Sequence, residues 1–170
     1  MTLRPGRTTR KIKRPYTRTS RTKPRKSYVV GVPFPKIHIF DMGNAKKQYD
    51  SKLWLVVDGS VQLRDNCLEA ARVVANKLLE KAIADNYSLK VLVYPHQILR
   101  EHSMASGAGA DRFSSGMSHS FGKPSGLAAI VKRDQSIMLL KLNKKDLVIG
   151  RKALKRASSK LPITCRIIVE

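Results

Sequence analysis

His96, His102 and His119, with Glu101 and Asp111 close by in the chain, are the residues whose types could do acid–base chemistry. Such catalysis needs a nucleophile, a base beside it and a third group that orients the base. The spacing offers no such arrangement, so hydrolytic chemistry has nothing to run on. The histidines form no i, i+4 pair and have no cysteine partner, so no metal is expected either. Residues 107 to 126, GAGADRFSSGMSHSFGKPSG, hold five of the ten glycines and invite comparison with a phosphate cradle. A Walker loop needs GxxxxGK followed by Ser or Thr, because that hydroxyl holds magnesium. Here five residues separate Gly116 from Gly122, and Pro124 follows Lys123. The chain therefore reads as a non-enzyme without a cofactor.

Recognition is the chemistry that remains. Glycines let a backbone approach a ligand closely and adopt positive φ. Around them, Arg112, Lys123 and the hydroxyls of Ser114, Ser115, Ser118 and Ser120 can bond phosphate and ribose. Phe113, Phe121 and His119 can stack on unpaired bases. Charge points the same way: 34 Lys and Arg against 12 Asp and Glu leave +22 at neutral pH. A chain so charged repels itself when compact and makes sense beside a polyanion. The first 36 residues contain no acid, and residues 1–28 carry Arg4, Arg7, Arg10, Lys11, Lys13, Arg14, Arg18, Arg21, Lys23, Arg25 and Lys26. That composition predicts an extended RNA-binding arm that orders only against phosphates. A transit peptide would also be Arg-rich and acid-free, but Pro5, Pro15 and Pro24 interrupt any helical stripe. No stretch approaches the roughly 18 apolar residues of a spanning helix, so no membrane is expected. Cys67 and Cys165 form no CxxC and read as reduced packing cysteines of a cytoplasmic protein.

The elements that must position these groups occupy residues 29–170, predicted as one α+β domain with a glycine-rich loop at 102–126. Ile37, Ile39 and Phe40 suggest a strand, and LWLVVDG (53 to 59) a buried strand ending at a turn. A helix follows, with Asp65 as its N-cap and Leu63, Cys67, Ala70, Ala71, Val74 and Leu78 on the inner stripe. Glu69, Arg72, Asn76 and Glu80 take its outer side. LKVLVYP (89 to 95) reads as a strand stopped by Pro95, with HQILR continuing beyond a bend. GLAAIV and SIMLLKL, parted by KRDQ, read as a hairpin. A second helix is predicted from Asn143 as N-cap, with Leu147, Gly150, Leu154, Ala157 and Leu161 inward. Lys145, Arg151, Lys152, Lys155 and Arg156 spread over its other side without an acid partner, as a phosphate-contacting face. ITCRIIV closes the fold as a strand. Two amphipathic helices on a mainly antiparallel sheet make a layered α+β architecture.

GVPFPKIHIFDMG (31 to 43), LEAARVVANK (68 to 77), VYPHQILR (93 to 100), GAGADRFSSGM (107 to 117), FGKPSG (121 to 126) and KALKRASSKLPI (152 to 163) run in order through this domain. On these motifs the chain resembles the universal large-subunit ribosomal protein family called sixteen in bacteria and ten-e in archaea and eukaryotes, on its archaeal side. The resemblance implies an α/β-hammerhead-like fold in a structural constituent of the large ribosomal subunit. It implies binding to large-subunit rRNA near the tRNA-binding cleft, with the glycine-rich loop placed near the peptidyl-transferase region. The implied partners are rRNA, tRNA and neighbouring large-subunit proteins, with no self-oligomer. The carry-over covers Arg100, Gly109, Ala110, Asp111, Arg112, Gly116, Met117, Phe121, Gly122 and Lys123. Relatives often carry Arg-Gly-Ala where this chain has Ser118, His119 and Ser120, which leaves His119 to substitute by stacking. The alternative from the residues alone is a free-standing nucleic-acid-binding architectural protein.

Overall fold

The computed structural model describes residues 4–12, 29–105 and 107–170. Lys13, Arg14, Arg18, Arg21, Lys23, Arg25 and Lys26 lie outside the described residues. In chain order the elements are β1 (Asp41–Gly43), β2 (Ser51–Val57), β3 (Val61–Arg64), α1 (Asp65–Ile83), β4 (Tyr87–Val91), β5 (Gln97–Glu101), β6 (Lys123–Val131), β7 (Ser136–Leu142), α2 (Leu147–Ser158) and β8 (Cys165–Val169). Short 3-10 turns fall at Gly6–Thr8, Ala110–Arg112 and Lys144–Asp146. The strands form a five-stranded sheet ordered β1-β4-β7-β2-β8 and a three-stranded sheet ordered β3-β6-β5. All their pairings are antiparallel. The expected α+β architecture is what the chain adopts.

Both helices cover one face of the larger sheet. Leu53, Leu55, Leu89, Met138, Leu140 and Leu142 point from that face into a core completed by Leu68, Ala71, Ala75 and Leu79 of α1 and Ala153, Leu154 and Ala157 of α2. Gly150 permits the close approach of α2: a Cβ there would sit 2.5 Å from a Leu142 methyl and 3.3 Å from one of Leu140. The inner stripe expected of α2 is otherwise as read, with Gly150, Leu154, Ala157 and Leu161 buried and Leu147 half-buried. Its start differs. Asn143 makes no side-chain cap bond, and a 3-10 turn precedes the α-helix.

Four other expectations are corrected. The β6–β7 pair is no hairpin, because the two strands belong to different sheets. Their connection is tied to β2 instead, with the Asp134 N–H donating to the Val57 carbonyl at 2.9 Å. Periodicity marks a strand but not its partner. Residues 37 to 40 are not a strand: Ile37 is buried, Ile39 is exposed, and pairing starts at Asp41. The Lys36 N–H is held by the Asp65 carboxylate at 3.0 Å, so side-chain chemistry rather than a ladder fixes this stretch. Asp65 is the first residue of α1, not its cap, which is Arg64. The buried stripe of α1 is Leu68, Ala71, Ala75, Leu79 and Ile83, one position later than expected, with Cys67 and Leu78 packed half-buried beside it. An Ala-rich helix carries apolar residues on more than one stripe, and contact with α2 and both sheets chooses between them. The short strand β3 was not expected at all.

β4 ends at Val91, and residues 92 to 96 link the two sheets, with the Leu92 N–H still donating to the Ile137 carbonyl of β7 at 2.8 Å. The loop after β5 is shorter than expected, since Lys123 already pairs with Glu101 and the loop ends at Gly122.

Candidate nucleic-acid interface

The basic face expected of α2 is present. Arg151, Lys152, Lys155 and Arg156 are exposed, and none has an acidic partner among the described residues. They face away from the sheet because Gly150, Ala153, Leu154 and Ala157 on the same helix must face it. Packing of small residues on one side thus aims four cations to the other.

The loop emerges from the β5–β6 pair over a cleft of about 1010 Å³. Arg4, Lys36, Arg64, Arg100 and Lys123 line it, together with Phe34, His102, His119 and the hydroxyls of Ser115, Ser118 and Ser125. Asp65 and Glu101 are the acids in its wall. At its root the Arg100 guanidinium lies 3.1 Å from the centroid of the Phe121 ring, a cation–π contact. Gly122 has φ +78° and its Cβ position is 2.7 Å from the Glu101 carbonyl, so a side chain is excluded there. The His102 ring reaches the Gly116 carbonyl at 2.7 Å and fastens the loop across its width. Gly109, at φ +78°, opens the 3-10 turn that contains Ala110, Asp111 and Arg112. Beyond these ties the loop presents its side chains outward: Arg112 and His119 are exposed, Phe113 is 88% exposed, and Met117 and Phe121 are 67% exposed. Exposed aromatic rings beside cations are the side-chain set that stacks on unpaired bases.

The described part of the N-terminal segment is not free of the domain. Arg64 donates to the Thr9 hydroxyl at 2.8 Å and to the carbonyls of Arg4 and Pro5 at 2.7 and 2.9 Å. The Gln62 N–H donates to the Arg10 carbonyl at 3.0 Å, and Arg4 pairs with Glu101. Residues 4–12 therefore lie along β3, an edge strand whose unpaired backbone groups accept such an addition. Arg7, Arg10 and Lys11 stay exposed. The expected site residues thus divide. Arg4, Arg100, Lys123 and His119 gather around one cleft, whereas the α2 cations form a separate face.

Three contributors were missed from sequence: Phe34, 91% exposed between two prolines, Lys36, and Arg64 as the clamp on the N-terminal segment. The proline-flanked aromatic in VPFP was the available signal for the first. No sequence signal pairs Arg64 with acceptors so far away in the chain. His96 instead packs its ring against Tyr94 in a tilted contact, at 4.6 Å between ring centroids. Among the described residues no group of three or more His, Cys, Asp or Glu could hold a metal ion. No described helix is long and apolar enough to cross a membrane.

Residues 16–168 match the model of the family described as ribosomal protein L16p/L10e. A protein of Archaeoglobus fulgidus named large ribosomal subunit protein uL16 is 47% identical over 171 residues, covering 100% of this chain and 94% of its own. Proteins of the same name from Picrophilus torridus and Sulfolobus acidocaldarius are 48% and 46% identical, covering 92% and 98% of this chain and 90% and 93% of their own. A family match over residues 16–168, with archaeal relatives 46–48% identical over nearly the whole chain, places the chain in the ribosomal protein L16p/L10e family, on its archaeal branch.

Proposed function

We propose that this protein is a structural constituent of the large ribosomal subunit that binds large-subunit rRNA and contributes no catalysis of its own. The names of its relatives and the family match support the ribosomal assignment. The observation that carries rRNA binding is the α2 face, where four exposed cations lack any carboxylate partner among the described residues. Such a face is electrostatically costly alone and is stabilised by phosphates. The N-terminal cations offer further phosphate contacts, and the domain organisation is a basic segment at 1–28, docked along β3 at residues 4–12, followed by the folded residues.

The loop has a different task in this reading. Its exposed Phe113, Met117, His119 and Phe121 leave the core untouched and offer stacking surface to RNA beyond the docking site. It reaches toward tRNA near the peptidyl-transferase region, held in place by Arg100, Gly122 and His102. Neighbouring large-subunit proteins complete the surroundings.

The test is sedimentation of the tagged protein in a cell extract washed with salt. Retention on large subunits supports the assignment. Recovery with bulk nucleic acid, away from ribosomal particles, would favour a free-standing architectural protein.

A further inference from the structure

The face of the five-stranded sheet turned away from α1 and α2 has no role in the interface described above. Cross-strand register aligns Ser88, Lys141 and Lys52 in one row on this face, and Lys90, Leu139 and Trp54 in the next. Lys52 stands directly opposite Lys141, with neighbours Leu53, Leu140 and Leu142 buried on the other side. Like charges opposed across a strand pair destabilise a sheet. Among the described residues neither lysine has a carboxylate within ion-pair distance. Among the described residues Lys90 has only the surface pair with Asp41 at 3.2 Å, which a stronger anion can displace. The acids Asp58 and Asp134 are engaged by Arg166 on β8.

The alternation of β4 continues past its end. Lys90, Leu92, Tyr94 and His96 are exposed, while Leu89, Val91, Val93 and Pro95 are buried. Tyr94 is 45% exposed, with its ring stacked 5.5 Å from that of Phe40 and tilted 4.6 Å from that of His96 by centroid. Four residues of extended chain from Lys90 to Tyr94 span about 13 Å. The indole N–H of Trp54, beside the lysine row, is withdrawn from solvent and meets no acceptor among the described residues. A buried donor without an acceptor is a cost that a bound acceptor would relieve.

We infer that this sheet face is a second RNA-binding surface, which takes an unpaired strand with phosphates on Lys52, Lys141 and Lys90 and a base on Tyr94. The inference rests on the RNA-binding reading above and extends it to the opposite side of the molecule. Lysines in adjacent rows leading to an exposed tyrosine ring match the two needs of a single strand, backbone neutralisation and ring stacking. A duplex would meet the lysines but has no free base for Tyr94. With α2 cationic on the other side, the protein is built to sit between two RNA segments.

The protein's only tryptophan lies on this face, so its emission reports occupancy there. The full chain is titrated with a mixed-sequence RNA of about 12 nucleotides, within the range single domains cover. Trp54 emission and the anisotropy of a label on the RNA are read together. The expected result is a saturable change in Trp54 emission that follows the anisotropy. In Lys52→Gln with Lys141→Gln, the slope of log affinity against log salt should fall by about 1.4, at roughly 0.7 per phosphate of a single strand. That double variant removes a repulsion and should fold. Tyr94→Ala should weaken the emission-detected event about tenfold. Changing Arg151, Lys152, Lys155 and Arg156 to Gln should lower total affinity yet leave the Trp54 response at saturation. Binding by anisotropy with silent Trp54 overturns the inference and leaves the ribosomal reading standing. Absence of any binding counts against both. An equal response to duplex RNA overturns the unpaired strand, and a response to protein concentration alone would mean self-association instead.

Discussion

Gly122 carries a local burden that no other residue type can take over. Its positive φ disfavours any side chain, and the Glu101 backbone occupies the space a Cβ would need. Gly122→Ala should therefore destabilise the fold by roughly 1 to 3 kcal/mol, measured by chemical denaturation. It should also shift the loop, read as faster proteolysis within residues 103 to 120. An unchanged denaturation midpoint would mean that β5 and β6 can splay without cost. The cysteines allow a second test at this scale. Burial raises the thiols of Cys67 and Cys165 to about 11, so at pH 8 very little thiolate is present. Alkylation by iodoacetamide at that pH should be slow in the native protein and fast after unfolding, since the thiolate is the nucleophile. The rate should climb as pH rises toward 11.

At the scale of the element, α2 divides its work between two faces. Leu154 is fully buried, and Leu154→Ala should cost about 2 to 5 kcal/mol, read as a lowered melting temperature. Replacing Arg151, Lys152, Lys155 and Arg156 by Gln should instead leave melting nearly unchanged and weaken rRNA binding. Unfolding of the Gln variant would contradict the assignment of faces. The glycine-rich loop is an element of a different kind. Its large apolar side chains Met104, Phe113, Met117 and Phe121 are exposed, and none belongs to a core cluster. Replacing residues 103 to 117 by a short Gly-Ser linker should give a folded protein that still enters ribosomal particles. Those particles should synthesise peptide poorly, because the loop is the segment read as reaching tRNA. Sedimentation and peptide synthesis on the same particles separate the two effects. Lost incorporation would make the loop an assembly anchor, and normal synthesis a passive connection.

The molecule as a whole is governed by its charge. With +22 spread over arm, helix and sheet, rRNA binding should be steeply salt-dependent. About six to ten phosphate contacts would lower affinity roughly 10³- to 10⁵-fold between about 50 and 200 mM salt. A nearly flat plot of log affinity against log salt would sink the electrostatic account. Deleting residues 1–28 should reduce the slope but also remove the segment docked on Arg64. Arg64→Gln is the sharper comparison, since it loosens that segment while keeping the arm cations. It should lower the protection of residues 4–12 in hydrogen exchange with a smaller effect on the salt slope.

The sequence by itself pointed to a polyanion partner and determined the α+β class, the inner stripe of α2 and its cationic outer face. Composition and helical period are local properties, and Gly150, Leu154 and Ala157 at that period leave Arg151, Lys155 and Arg156 only one direction to point. Motif order made the family legible as well, because the glycine-rich loop and its flanks are contiguous in the chain. Only the tertiary structure decided which strands pair. β6 and β7 are neighbours in sequence yet join different sheets, since β6 builds its ladders with β3 and β5 and β7 builds its own with β2 and β4. The same holds for the α1 stripe, chosen by contacts on both sides of an Ala-rich helix. It holds for the cleft too, where Arg4, Phe34, Arg64 and Lys123 meet from four separate stretches. The lysine rows of the sheet face turned away from the helices also exist only through register, which pairs Lys52 with Lys141 and sets Lys90 one row away. Spacing along the chain reports what a segment can do alone, whereas these sites are made by segments brought together.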